Sequence, residues 1–233
     1  MEQQIILIPA YKPNKTLLSF VENLVEHPFL QVIIVNDGSG EHTEPLFQTL
    51  SKIERVTILN HANNEGKGCA IKTGLTYIIK SFKKYEAVIT AGADGQHSVE
   101  DLIRLSNSSR IFSGGIIIGI RNFRSDLMPK HSFLKNRVTS ILFDILFKKR
   151  LLDVQSGLRF FARKDVPWIR KVRGDQYDFD IHVLTEAIHR KIPIYEVPIG
   201  KAKMTKNIFL QYDEVYHPKI LSKSYFEIFL RDK

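Results

Sequence analysis

Asp94 and Gln96 lie two residues apart in the stretch Val88-Ile89-Thr90-Ala91-Gly92-Ala93-Asp94-Gly95-Gln96-His97, and both offer side-chain oxygen to a hard cation such as Mg²⁺ or Mn²⁺. Val88 and Ile89 are β-branched and read as a buried strand, so the acid and the amide are delivered into a turn at a strand end. Gly92 and Gly95 let that backbone approach a ligand closely. The competing reading is a plain Asp-Gly turn. A second candidate, Gly66-Lys67-Gly68, lacks the leading glycine and the Ser/Thr of a nucleotide-triphosphate loop, since Cys69 follows it. It also lacks the third glycine of a dinucleotide fingerprint. Asn64 to Gly68 instead reads as a loop that brings backbone N–H groups and a lysine to a diphosphate at a helix start. Ser39, Ser156 and the eight histidines sit in no nucleophile-elbow context, so hydrolase triads find no support. His97 reads as a hydrogen-bonding residue after a turn, and Cys69 as a core residue on its helix.

The elements that must position these residues alternate strand and helix. Ile5–Ile8, Val32–Val35, Val56–Leu59, Val88–Thr90 and Ile116–Ile118 are short apolar runs, the first ended by Pro9. Between them, apolar residues recur at helical spacing: Leu17, Val21, Leu24 and Val25; then Leu46, Phe47, Leu50 and Ile53; then Ala70, Ile71, Gly74, Leu75 and Ile78. Ser98 and Asp101 resemble a capping pair opening a further helix. This alternation predicts an α/β fold with a mostly parallel sheet and helices on both faces. Ligands bind such sheets beyond the carboxyl ends of the strands. The polar and glycine-bearing segments Pro9–Tyr11, Asn36–Ser39, Asn60–Gly68 and Gly92–His97 all fall there, which favours the ligand-binding reading of Asp94.

The second half is less regular. Arg137 to Leu152 reads as an amphipathic helix ending in Lys148-Lys149-Arg150, packed on the sheet or lying on a membrane surface. Tyr177 to Arg190 reads as a helix with Asp178 and Asp180 in its first turn, and Tyr195–Ile199 as a strand placed at an edge by Pro198. With 34 Lys and Arg against 25 Asp and Glu, the net charge of +9 favours an anionic partner. The single cysteine excludes an internal disulfide and fits a reducing compartment. Neither a signal-peptide core nor a run of roughly 20 apolar residues is found, so the expected location is cytoplasmic, extending to the inner face of the membrane.

Ile8-Pro9-Ala10-Tyr11, Val35-Asn36-Asp37-Gly38-Ser39, Asn64-Glu65-Gly66-Lys67-Gly68, Ala93-Asp94-Gly95-Gln96-His97, Gly119-Ile120-Arg121 and Asp153-Val154-Gln155-Ser156-Gly157-Leu158-Arg159 occur in an order that resembles the family 2 inverting glycosyltransferases of the GT-A fold. The likeness is greatest to the dolichyl- and polyprenyl-phosphate sugar synthases. It spans residues 5 to 199 and fades after Ile199. Three positions depart from the family pattern: Lys12-Pro13 where Asn-Glu is usual, Asn36-Asp37 where two acids are usual, and Gly92 where the metal motif usually starts with an acid.

The resemblance implies a GT-A domain over residues 1–200, with residues 201–233 an extension lacking a core of its own. It implies transfer of a sugar from a UDP- or GDP-sugar, with inversion, to a polyprenyl phosphate. Asp94 and Gln96 would hold Mg²⁺ or Mn²⁺ on the donor diphosphate. Pro9, Ala10, Tyr11, Asn36, Asp37, Gly38, Lys67 and Ala93 would join Asp94 in binding the nucleotide, with Asp37 on the base or ribose and Tyr11 flanking the base. Arg121, Arg137 and Arg159, with Gln155, Ser156 and Gly157, would meet phosphate on the acceptor side. If the acceptor is a sugar hydroxyl on a glycan, Asp180 is the first candidate base and Asp178 the second. A nucleotidyltransferase would share the glycine-bearing rim, but Ala10-Tyr11-Lys12-Pro13 is not its arginine- and glycine-dense first loop. A nucleic-acid module would explain the charge but not the rim, and nucleic acid is not an expected partner.

Overall fold

Ile5, Ile6, Leu7 and Ile8 are all completely buried, so the first strand is covered on both faces. That strand, β1 (Gln4–Ala10), runs parallel to β2 (Leu30–Asp37) on one side and to β4 (Ala87–Thr90) on the other. β2 in turn runs parallel to β3 (Val56–His61). Beyond β4 come β6 (Arg159–Ala162), β5 (Ile116–Ile120) and β7 (Ile194–Pro198), giving seven strands in the order β3-β2-β1-β4-β6-β5-β7. β6 is antiparallel to both neighbours, while β5 and β7 pair in parallel. This is the expected mostly parallel α/β sheet. The computed structural model describes residues 3–112, 114–121, 139–141 and 143–200.

Alternation along β1 sorts its side chains to two cores. Ile5 and Leu7 join Ile33, Val35 and Val88 beneath α3 (Lys67–Ser81) and α7 (Asp178–His189). Ile6 and Ile8 join Val32, Ile34 and Ile89 beneath α1 (Thr16–Val25), α2 (Glu44–Ser51) and α4 (Val99–Ser108). Each such side chain contributes roughly 1.5–3 kcal/mol by leaving water, which is why these runs fix the sheet so firmly. The Ser98–Asp101 pair forms the expected reciprocal cap at the start of α4. Pro9 does not end β1, which continues through Ala10 opposite Asn36. β7 lies at the sheet edge, as Pro198 implied.

The expected helix from Arg137 to Leu152 is shorter where it is described. Residues 139–141 and 143–147 are helical (α5), and Lys148 then breaks the helix with φ of +51°. Phe143 is fully buried and Leu146 and Phe147 pack inward, whereas Ile141 and Ile145 are 50% and 69% exposed. The apolar face inferred from spacing is thus divided, and α5 both packs on the sheet and presents isoleucines outward. The short α6 (Val166–Ile169) completes the described helices. Among the described residues no helix is long and apolar enough to cross a membrane. Residues 201–233 and Arg137 lie outside the described residues, so the expectations placed on them do too.

Candidate active site

The strand order reverses between β1 and β4, and that is where an open α/β sheet leaves a crevice at its carboxyl edge. The segments after β1, β2, β3, β4 and β5 all emerge on this edge. Because β6 is antiparallel, its first residue, Arg159, lies there too, opposite Thr90 at the end of β4. The Asp153–Arg159 segment therefore meets the end of β4, from which the Gly92–His97 turn departs, and Thr90 Oγ1 donates to the Gly157 carbonyl at 2.8 Å.

On the β1 side, Tyr11 is 41% exposed and the Lys12 ammonium lies 5.1 Å from its ring. Lys12 takes a left-handed φ of +45°, and its N–H donates to Ser39 Oγ at 2.9 Å, tying this loop to the end of β2. Asn36 is buried; its amide nitrogen donates to Asn60 Oδ1 and its oxygen accepts from the Ser39 N–H. Gly38 sits at φ +65°, where a Cβ would fall 2.3 Å from the Asn63 carbonyl carbon, so only glycine lets these loops stack.

Asp37, expected on the base or ribose, has a buried carboxylate that accepts from the Glu65 N–H and the Gly66 N–H, both at 2.9 Å. A third donor is His61 Nδ1, at 2.7 Å. The N–H groups read as diphosphate ligands are thus partly spent inside the loop. Gly66, at φ +103°, has the Asp175 carbonyl oxygen 2.4 Å from where a Cβ would lie, so this glycine serves close packing against the segment before α7. Cys69 is not a core residue: half-buried in the first turn of α3, its thiol is pushed up to about 11 by burial and by the hydrogen bond and charge of Asp175. It is protonated at neutral pH and is not a nucleophile.

Asp94 accepts from the Gln96 N–H at 3.0 Å and makes no ion pair among the described residues, so its negative charge is left for a cation. Ala93, Asp94 and Gly95 are partly exposed, while Gln96 is buried beneath them. No cluster of three His, Cys, Asp or Glu able to hold a metal occurs among the described residues. Asp94 is the partly exposed acid of this turn, and a cation on it would need a ligand's own oxygens to complete its shell. His97, read as a hydrogen-bonding residue, is buried with Nδ1 unpartnered; burial holds its pKa below the ordinary histidine value, against the opposing pull of Asp94.

Lys67, the first residue of α3, crosses to α7, where its ammonium pairs with Asp180 Oδ2 and lies 5.4 Å from the Tyr177 ring. The other Asp180 oxygen is 3.6 Å from Arg159 Nε. Asp178 accepts from the Gln176 N–H at 3.0 Å and approaches His182 Nε2 at 3.7 Å.

Of the arginines expected to meet phosphate, Arg121 and Arg159 are among the described residues, and both are engaged by groups of the protein itself. Arg159 is 0% exposed, and its guanidinium donates to the carbonyls of Ser156, Asp180 and Val154 at 2.8, 2.6 and 2.9 Å. It is an internal brace. Arg121 grips the fully buried Asp153 through two bonds of 2.8 and 3.0 Å, and Glu196 Oε1 accepts from the Leu152 and Asp153 N–H groups. Ser156 is buried, with its hydroxyl on the Gly119 carbonyl, and Gln155 donates to Thr139 Oγ1 at 3.3 Å. The Asp153–Arg159 segment thus sews β4, β5, α5 and α7 together at the rim. The sequence assigned no role to His61, and it offered Asp153 and Tyr177 only as the first residues of a motif and of a helix, because their partners are set by register and by loops far apart in the chain.

Comparison with known proteins bears on the family and the fold. Residues 5–163 match the family Glycosyl transferase family 2. The UDP-N-acetylglucosamine–dolichyl-phosphate N-acetylglucosaminyltransferase of Methanococcus voltae is 28% identical over 230 residues, covering 89% of this chain and 86% of that protein. The polyprenol monophosphomannose synthase of Mycolicibacterium smegmatis is 24% identical, covering 85% of this chain and 77% of its own. The fold also matches glucosyl-3-phosphoglycerate synthase from Mycobacterium tuberculosis, solved with Mn²⁺, UDP and phosphoglyceric acid, at a TM-score of 0.64 and 14% identity over 90% of this chain and 74% of that one.

Proposed function

The chain belongs to glycosyl transferase family 2, and from that premise we propose that it moves a sugar from a UDP- or GDP-sugar to a polyprenyl phosphate, with inversion and with a divalent cation. The observation that carries the choice of acceptor is the state of Asp180, whose two oxygens are engaged by Lys67 and Arg159. A sugar hydroxyl must lose a proton as it attacks, and a carboxylate already held by two cations is poorly placed to take it. A phosphate monoester is anionic at neutral pH and needs only positioning. Its oxygen forms a bond to the anomeric carbon as the bond to the diphosphate oxygen breaks, and the electron pair leaves with the nucleoside diphosphate. One such displacement inverts the anomeric centre.

Asp94 and Gln96 would hold Mg²⁺ or Mn²⁺, which supplies Lewis-acid stabilisation of the departing diphosphate. Tyr11 offers an exposed ring for the base, and Lys67, paired with Asp180 at the start of α3, would border the nucleotide side. Transfer from UDP- and GDP-sugars to polyprenyl phosphate and to free glycans is the direct test. In the phosphate assay Asp180→Asn should keep its rate within about tenfold. A loss of roughly 10²–10⁴, the contribution of a general base, in a folded protein would overturn the phosphate reading.

A lipid acceptor requires contact with a bilayer. Ile141, Ile145 and Leu152 are at least half exposed, and Lys148 and Arg150 are exposed beside them. Apolar area next to cations suits an anionic membrane surface. The protein should float with phosphatidylserine-containing liposomes at low salt and detach as salt is raised, and Ile145→Asp should weaken the attachment. Absence of flotation even at low salt would remove α5 as the contact.

A further inference from the structure

Asp37 and His61 face each other in the β2–β3 register, at the point where the chain leaves the sheet for the loop leading to Lys67. The Asp37 carboxylate can only accept hydrogen bonds, so the 2.7 Å contact fixes the proton on His61 Nδ1. Nε2 lies 2.9 Å from Thr73 Oγ1, on the helix that begins at Lys67. The ring is 7% exposed and so joins the end of β2 to α3 across the top of β3. Residues 62–65 between them are exposed. Their backbone is held at Glu65 and Gly66 by Asp37, and the Glu65 carbonyl accepts from Gln176 Nε2 at a long 3.4 Å.

We propose that His61, acting through Asp37, is a positioning residue that holds the 62–68 loop, and with it the start of α3 and its Lys67–Asp180 pair, in the shape that receives the donor diphosphate. The inference rests on the nucleotide-sugar reading above. Asp37 sets the loop by accepting two backbone N–H groups, and the imidazole sets Asp37. Without the ring, Asp37 loses the donor that orients its plane, and α3 loses its tie to β3. The effect belongs to donor binding and leaves the chemical step alone.

Asparagine in place of His61 puts an amide N–H near the position of Nδ1, whereas glutamine puts one near Nε2. His61→Asn should therefore keep the donor KM near the native value. His61→Gln and His61→Leu should raise it about tenfold or more, the loss expected for a hydrogen bond to a charged group, with kcat little changed. Thr73→Val should raise KM less, and should add nothing on the His61→Leu background. Thermal shifts with UDP and GDP plus Mn²⁺ accompany the kinetics. If the wild-type protein binds neither nucleotide, the nucleotide-sugar reading fails. If the wild type binds but Asn and Gln behave alike, or if His61→Leu melts earlier with an unchanged donor KM, the positioning role is overturned. Should His61→Leu fail to fold, the contrast between Asn and Gln still decides.

Discussion

Asp94→Ala should lower sugar transfer by about 10³-fold or more, because Lewis-acid stabilisation of a leaving diphosphate supplies several kcal/mol and each 1.36 kcal/mol is a decade in rate. Asp94 makes no ion pair among the described residues, so its charge is available to a cation. It is nevertheless a single acid, since Gly92 stands where the family pattern places another. Hard-cation affinity falls as carboxylates are removed from a site, so Mn²⁺ should bind the protein weakly alone and much more tightly once UDP or GDP adds its diphosphate oxygens. Restoring the acid tests the same logic in reverse. A Cβ at Gly92 would lie 3.0 Å from Asp94 Oδ1, a contact that the end of a rotatable side chain relieves by shifting a few tenths of an ångström. Gly92→Asp should therefore tighten Mn²⁺ in the absence of nucleotide. Calorimetry of Mn²⁺ with and without UDP or GDP measures both effects. Equal affinity in the two titrations, or full transfer activity in Asp94→Ala, would remove Asp94 from the metal role.

The rim was legible in the sequence because parallel strands deliver every carboxyl end to one edge. Once Ile5–Ile8, Val32–Val35, Val56–Leu59 and Val88–Thr90 are read as such strands, the loops after them must be neighbours. The Ser98–Asp101 cap was legible for a different reason: its two partners are three residues apart, within reach of local rules. What stayed hidden depends on pairing between distant segments. Nothing in the chain order says that β6 inserts antiparallel between β4 and β5, and that insertion is what brings Asp153–Arg159 to the rim. Asp37 and His61 are 24 residues apart and meet only through strand register. The outward Ile141 and Ile145 of α5 share the spacing of its inward residues, so periodicity alone does not say which of them meets the core.

Arg159 shows the same limit at its greatest energetic cost. The resemblance implies a phosphate contact, yet the side chain faces the interior. It is fully buried, with three donors on carbonyls and Asp180 beside it. Burial pulls the guanidinium pKa below its ordinary value, and the charges of Asp180 and Asp153 pull it back. Removing the group leaves three carbonyl oxygens without their donors and the Asp180 carboxylate with Lys67 as its remaining cation. Breaking a buried pair in this way costs about 3–5 kcal/mol, a large part of the roughly 5–15 kcal/mol that stabilises a domain. For a chain of this length that is a fall in melting temperature of roughly 6–20 °C. Arg159→Lys should recover little, because a single ammonium cannot reach carbonyls set out for a planar fork. Thermal and urea unfolding of Arg159→Ala and Arg159→Lys provide the measurement, read beside the KM for a phosphate acceptor. An Arg159→Ala protein with a native melting temperature and a greatly raised acceptor KM would return this arginine to the phosphate site.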